Sequence, residues 1–136
     1  MKVFSAIDTA GSALTAHRVL LDTIAENLAN ANTTRTGEGG PYRRKIPVFS
    51  EIMENPSGGS GGVSVREIAQ DDSPPRVVHE PGHPDADENG FVAYPNVSVV
   101  REMADMVAAS RAYEANLEVV ESAKAMWDAA TDLVRG

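Results

Sequence analysis

The chain has no cysteine in its 136 residues, which excludes disulfides, thiol nucleophiles and thiolate metal sites while fitting a cytosolic and an exported protein equally well. No apolar run approaches the roughly 20 residues of a membrane span. The opening Met-Lys-Val-Phe-Ser-Ala-Ile-Asp also lacks the continuous apolar stretch of a secretory signal, so export, if it occurs, takes another route. Basic residues are in short supply, 12 against 20 acidic for a net charge of −8. That balance disfavours nucleic acid and anionic membrane as main partners and points to proteins. The two ends of the chain, finally, are almost free of helix breakers: all eight prolines and nine of the eleven glycines lie between Thr33 and Asn96.

What the ends do contain is helical periodicity. Val3, Ile7, Ala10, Leu14, His17, Leu21, Ile24, Leu28 and Ala31 recur in alternating steps of four and three, one seam of a helix expected over about residues 4–31. Ser5 with Asp8 is the expected start, and Asn27, Asn30, Asn32, Thr33 and Thr34 favour the exit because their side chains compete for backbone hydrogen bonds. A second seam runs through Val99, Met103, Met106, Tyr113, Leu117, Val120, Trp127 and Val134, flanked by Val107, Ala123, Ala130 and Leu133. Asn96 or Ser98 is the expected cap, just after Pro95. Seven acidic residues from Glu102 to Asp132 are expected mostly to solvate the outer face of this helix.

Between the helices, β-like runs are expected at 45–52, 63–68, 76–79 and 91–94, separated by turn formers. Gly58-Gly59-Ser60-Gly61-Gly62 reads as a flexible link or a hairpin tip. The fold class is therefore mainly α with a small β-rich insertion: an N-terminal helix segment (1–32), a Gly/Pro-rich insertion (33–96) and a C-terminal helix segment (97–136), together one domain. Each helical stripe has too little of its own chain to cover it, so long coiled-coil-like helices completed by other subunits are the expected arrangement.

Three constellations bear on chemistry. Asp85-Ala86-Asp87-Glu88-Asn89-Gly90 matches the first six positions of an EF-hand calcium loop, but its twelfth position is Asn96 rather than Glu, and Pro81, Gly82 and Pro84 occupy the place of the incoming helix. His79 and His83 stand four apart, yet Pro81 and Gly82 forbid the helix that would aim both at one zinc. Arg43-Arg44-Lys45 after Pro41-Tyr42 reads either as an electrostatic contact to an acidic neighbouring subunit or as a solvated edge strand. His17 interrupts an apolar seam with no nucleophile placed near it in sequence. No metal, cofactor or catalytic set is expected, and the chain reads as a non-enzyme.

Asn27-Leu28-Ala29-Asn30-Ala31-Asn32-Thr33 closing an N-terminal amphipathic helix resembles the bacterial flagellar axial proteins. Gly40-Pro41-Tyr42-Arg43-Arg44-Lys45, the run from Glu80 to Val92, Pro95-Asn96-Val97, Glu102-Met103 and Ala109-Ser110-Arg111-Ala112-Tyr113-Glu114-Ala115-Asn116 extend the likeness over essentially the whole chain. Their order and the short total length resemble the basal-body proximal-rod members of that family. The resemblance implies a structural subunit whose end helices pair in a helical tube and carry torque from the inner-membrane (MS) ring to the distal rod and hook. It also implies manufacture in the cytoplasm and export by the flagellar type III apparatus without a cleaved signal. Implied partners are other rod proteins, copies of itself, MS-ring and rod-base adaptor proteins and that apparatus. A soluble coiled-coil adaptor or secretion chaperone shares the same periodicity. Ile7, Leu14, Leu21, Ile24, Leu28, Asn30, Asn32, Met103, Met106, Tyr113, Asn116, Leu117, Val120 and Trp127 are the expected assembly interface. Arg43, Arg44, Lys45, Asp85, Asp87, Arg111 and Glu114 are the expected polar contacts between subunits.

Overall fold

A computed structural model describes residues 2–53 and 61–136, with nothing said of the side chains of Lys2 and Val3. Most of the glycine-rich run singled out above, residues 58–60, lies outside the described residues, as does the seam side chain of Val3. The order of elements is α1 (Lys2–Ala29), β1 (Lys45–Ile52), β2 (Gly62–Gln70), β3 (Arg76–His79), β4 (Phe91–Tyr94) and α2 (Val99–Arg135). At about 1.5 Å per residue the helices are roughly 40 and 55 Å long.

The start of α1 differs from expectation. The helix begins at Lys2, so Ser5 and Asp8 sit inside it and not at its cap. The first turn is held by tertiary contact instead: the Phe4 ring meets Trp127 edge-on, centroids 4.9 Å apart. At the other end Asn30 Nδ2 folds back to Glu26 O at 2.9 Å, and Thr33 N donates to Asn30 O, the exit chemistry the asparagines favour. Ser98 is the cap of α2, extended at φ −94° and ψ 106°, its side chain accepting from Arg101 N.

Phe4 against Trp127 at one end and Asn27 against Glu102 at the other make the two helices antiparallel. Their closest faces carry small side chains: Ala10, Ala16, Ala109 and Ala123 are all buried. Among the described residues Ile24 is the one large apolar residue of the two helices that is fully buried. Alanines let the backbones approach, but they leave the larger seam residues straddling the contact.

The insertion forms two separate antiparallel pairs. β1 pairs with β2 from Lys45 opposite Gln70 to Ile52 opposite Gly62, with a bulge between Val48 and Phe49, and β3 pairs with β4. The first pair lies on α1, where Thr9 Oγ1 donates to Gly61 O at 2.7 Å and Ser12 Oγ accepts from Val63 N at 3.1 Å. Gly62 permits this approach, since a Cβ there would fall 2.5 Å from Ser12 Oγ. A small core of Ala31, Tyr42 and Val97 closes the base of the insertion where both helices meet it.

Candidate functional site: a polar junction and half-covered helix faces

The sequence places a carboxylate, Glu102, on the first turn of α2 and an asparagine, Asn27, on the last turn of α1. The antiparallel pairing brings them together. Glu102 is wholly buried, 0% exposed, and Asn27 nearly so. A buried carboxylate is costly unless its oxygens are paired and hydrogen-bonded. Here Arg44 Nε donates to Oε1 at 2.5 Å and Asn27 Nδ2 to Oε2 at 3.1 Å. Arg44 also reaches Asp71 at 3.5 Å and Asp105 at 3.9 Å. Burial works against the guanidinium charge, but the hydrogen bond and charge of Glu102, with Asp71, outweigh it and raise the Arg44 pKa.

Two asparagines then seat the insertion through its main chain. Asn27 Oδ1 accepts from Lys45 N and from Tyr42 Oη, both at 2.9 Å, while its Nδ2 donates to Lys45 O at 2.9 Å. Asn96 Oδ1 accepts from Arg44 N at 2.8 Å, and its Nδ2 donates to Asp71 O and Ser73 O at 3.1 Å each. The Tyr42 phenol sits inside this set. Burial, reinforced by the charges of Glu26 and Glu102, pushes its pKa up to about 12. Among the described residues no buried side-chain nitrogen or oxygen lacks a hydrogen-bond partner, so the junction is closed chemically. Its acid and base are bound to each other and fasten the insertion to both helices.

The rest of the expected polar contacts divide. Of the basic cluster, Arg44 pairs within the chain with Glu102, Asp71 and Asp105, and Lys45 with Glu26. Arg43 alone of the three stays exposed. Asp85 accepts from Thr34 Oγ1 at 2.7 Å and pairs with Arg35, which together hold its carboxyl below the ordinary carboxylate range. Asp87 Oδ1 accepts from Asn89 N and Phe91 N at 2.9 and 2.8 Å. Arg111 and Glu114 are exposed and form no ion pair within the described residues. His83 Nδ1 accepts from Asp85 N at 3.0 Å, while the rings of His79 and His83 lie against Phe91 and Tyr94. The two imidazoles therefore serve the loop. His17 Nδ1 lies 2.8 Å from Ala13 O, one turn back along α1.

The expected apolar interface stands mostly uncovered. Ile24 is buried; Ile7, Leu14, Leu21, Leu28, Met106, Tyr113 and Val120 are half-buried; Met103, Leu117 and Trp127 are 57%, 40% and 39% exposed. Asn30 and Asn116 are half-buried, each bonded to the carbonyl one turn earlier, and Asn32 is exposed. Beyond the expected set, Val100, Val107, Met126, Leu133 and Val134 are also more than half exposed. Between α1, α2 and β1 a groove of about 380 Å3 remains open, lined by Leu20, Ile24, Phe49, Ala108 and Ala112 among others. Among the described residues no helix is long and apolar enough to cross a membrane, so lipid does not account for these surfaces by spanning.

Sequence reasoning missed the junction. In sequence Glu102 reads as one of the acids that solvate the outer face, and Asn27 as a residue that ends a helix. One signal was available: Glu102 lies beside the apolar seam, next to Met103, where an unpaired carboxylate would be out of place.

Comparison with known proteins shows the family of the chain. A family model described as flagella basal body rod protein matches residues 7–35, the α1 segment that ends at the junction. A second, flagellar basal body rod FlgEFG protein C-terminal, matches residues 88–133, from the β3–β4 loop along α2. The flagellar basal-body rod protein FlgC of Borreliella burgdorferi is 41% identical, with the whole of both chains covered. The chain belongs to the FlgC family of flagellar basal-body rod proteins. FlgC of Escherichia coli O6:H1 is 44% identical over 93% of each chain, and FlgC of Bacillus subtilis 41% identical over 93% of this chain and 94% of that one. The two segments matched by the rod-protein family models are the ones that the Asn27–Glu102 contact ties together.

Proposed function

We propose that this chain is a non-enzymatic structural subunit of the flagellar basal-body rod, in its proximal part, and that the half-covered faces of α1 and α2 are completed by neighbouring subunits. The observation that carries the reading is the exposure of Met103, Leu117 and Trp127 on a helix matched to rod proteins. Apolar surface of this kind is stabilised by roughly 25 cal/mol per Å2 when another chain covers it. A heterologous contact that does not close on itself generates a helical array, which a rod requires.

In this reading α1 and α2 pair in coiled-coil fashion with the same helices of adjacent subunits, both copies of this chain and other rod proteins. Adaptor proteins of the MS ring contact one end of the assembly. Arg43, Arg111 and Glu114 supply polar contacts between subunits. The chain leaves the cytoplasm through the flagellar type III apparatus, without a cleaved signal, and the finished rod carries torque to the distal rod and hook by many shared contacts.

The test is Leu117→Glu, placed in a flagellated host whose own FlgC gene has been removed. The expected outcome is export of the variant with arrested rod assembly and lost swimming, while the unaltered chain restores both. Full motility with Leu117→Glu would show that this face is not an interface.

A further inference from the structure

The loop joining β3 to β4 contains the single Asn-Gly pair of the sequence, Asn89-Gly90, and the fold makes that pair unavoidable at its second position. Gly90 has φ +81°, and a Cβ there would lie 3.0 Å from Pro81 Cγ and 3.1 Å from His79 Nε2. Only glycine fits both the backbone conformation and the space. Asn89 itself is exposed at the tip of the turn.

An asparagine followed by glycine is prone to lose its side-chain amide, because no side chain on the next residue hinders attack by that residue's backbone nitrogen. The Gly90 nitrogen gives up its proton and bonds to Asn89 Cγ; the Cγ–Nδ2 bond breaks and ammonia leaves. Water then opens the resulting ring at either carbonyl, giving aspartate or an isoaspartyl linkage at position 89. Water enters, ammonia departs and no oxidant or cofactor is needed.

In the folded chain the nucleophile is occupied. Gly90 N donates to Asp87 O at 2.9 Å. The turn on either side is clamped by Asp87 Oδ1, which accepts from Asn89 N at 2.9 Å and Phe91 N at 2.8 Å, and by Asp87 N donating to Phe91 O at 2.8 Å. We infer that Asn89 is a latent deamidation site, held closed by the Asp87 turn in the folded chain and opened whenever the chain is unfolded. Reaction would add a fourth acidic group to Asp85, Asp87 and Glu88. Its isoaspartyl form would also lengthen the backbone by one atom within a turn whose spacing the Asp87 bonds fix.

The experiment compares Asn89 in basal bodies purified from a host carrying this chain, kept at neutral pH in buffer, with the same particles dissolved in urea at the same pH and temperature. Peptide mass spectrometry reads conversion at position 89. Conversion is expected to be about tenfold slower, or more, in the intact particles, since opening a turn held by several hydrogen bonds costs at least the roughly 1.4 kcal/mol equivalent to that factor. Asp87→Ala should raise the rate in buffer towards that in urea, whereas Asp87→Asn, which keeps an Oδ1 acceptor, should leave it slow. Equal rates for the unaltered chain in buffer and urea would overturn the inference, and that comparison stands even if Asp87→Ala fails to assemble. Absence of the chain from the particles counts against the rod reading alone; the same comparison on the soluble chain, with its helices present by circular dichroism, then decides the turn.

Discussion

The two ends of the helical hairpin are built on opposite principles. Where α1 and α2 meet the insertion, polar groups are buried and every one of them is matched, down to the carboxylate of Glu102. Towards Phe4 and Trp127 the contact is apolar and only half made, with Trp127 still 39% exposed. A matched polar set fixes one geometry and tolerates little change; an incomplete apolar face leaves stability unrealised until a neighbour arrives. The first end defines the subunit; the second is the face that the proposed rod would cover.

The largest expected effect is at the junction. Glu102→Ala removes the buried acceptor shared by Arg44 Nε and Asn27 Nδ2, while Arg44 keeps Asp71 and Asp105 and Asn27 keeps Lys45 O, at a cost of about 2–3 kcal/mol. Urea unfolding followed by circular dichroism should show it as a collapse of the midpoint. If Leu117→Ala did equal damage to the free chain, the division between the two ends would be gone.

Next in size is the stem. Trp127→Ala removes a partly covered ring and should cost the isolated chain only about 1–2 kcal/mol, yet it should strip the chain from purified basal bodies. Sedimentation sharpens the same contrast: the free chain is expected as a monomer that gains helix when rod partners are added. A stable dimer at micromolar concentration would favour a soluble coiled-coil adaptor.

A smaller effect belongs to Tyr42. Tyr42→Phe deletes one hydrogen bond to Asn27, about 1 kcal/mol, and changes the alkaline limit of the fold. Because the folded phenol is raised from 10.0 to about 12, its contribution is complete below pH 10 and is lost as pH rises towards 12. Phenolate absorbance should show a late-titrating tyrosine that the variant lacks. Smallest is the loop. Asp85, lowered by the Thr34 hydrogen bond and the charge of Arg35, contributes above the ordinary aspartate range and loses its contribution as pH falls through its depressed value. Asp85→Asn should lower the neutral plateau slightly and flatten the acid limb, leaving stability at the acid end unchanged; an unchanged acid limb would count against the Thr34 and Arg35 contacts.

Much of the fold could be read from local pattern. The two helices, and strands at 45–52, 76–79 and 91–94, follow from runs bounded by turn formers, and β2 extends past expectation by a residue at its start and two at its end. α1 begins two residues ahead of the expected position 4, and its first turn meets Trp127 through Phe4, a contact with a residue more than a hundred positions away. The junction was illegible because its contacts are long-range: Asn27, Tyr42, Arg44, Asp71, Asn96 and Glu102 are scattered along the chain, and nothing in the spacing of a single asparagine or glutamate announces such a meeting. The uncovered faces, by contrast, were written in the seams, since a stripe of large residues with little chain to cover it is a local property.

The manner in which Asn27 and Asn96 grip the insertion has a practical corollary. Between them they hold Arg44 N, Lys45 N, Lys45 O, Asp71 O and Ser73 O, all main-chain atoms that every non-proline residue possesses. The socket itself is thus indifferent to most side chains of the β1–β2 hairpin, whose one further demand is the glycine opposite Ser12. Foreign hairpins grafted between Lys45 and Asp71 should plug in, provided they keep the same two entry and exit strands and that glycine.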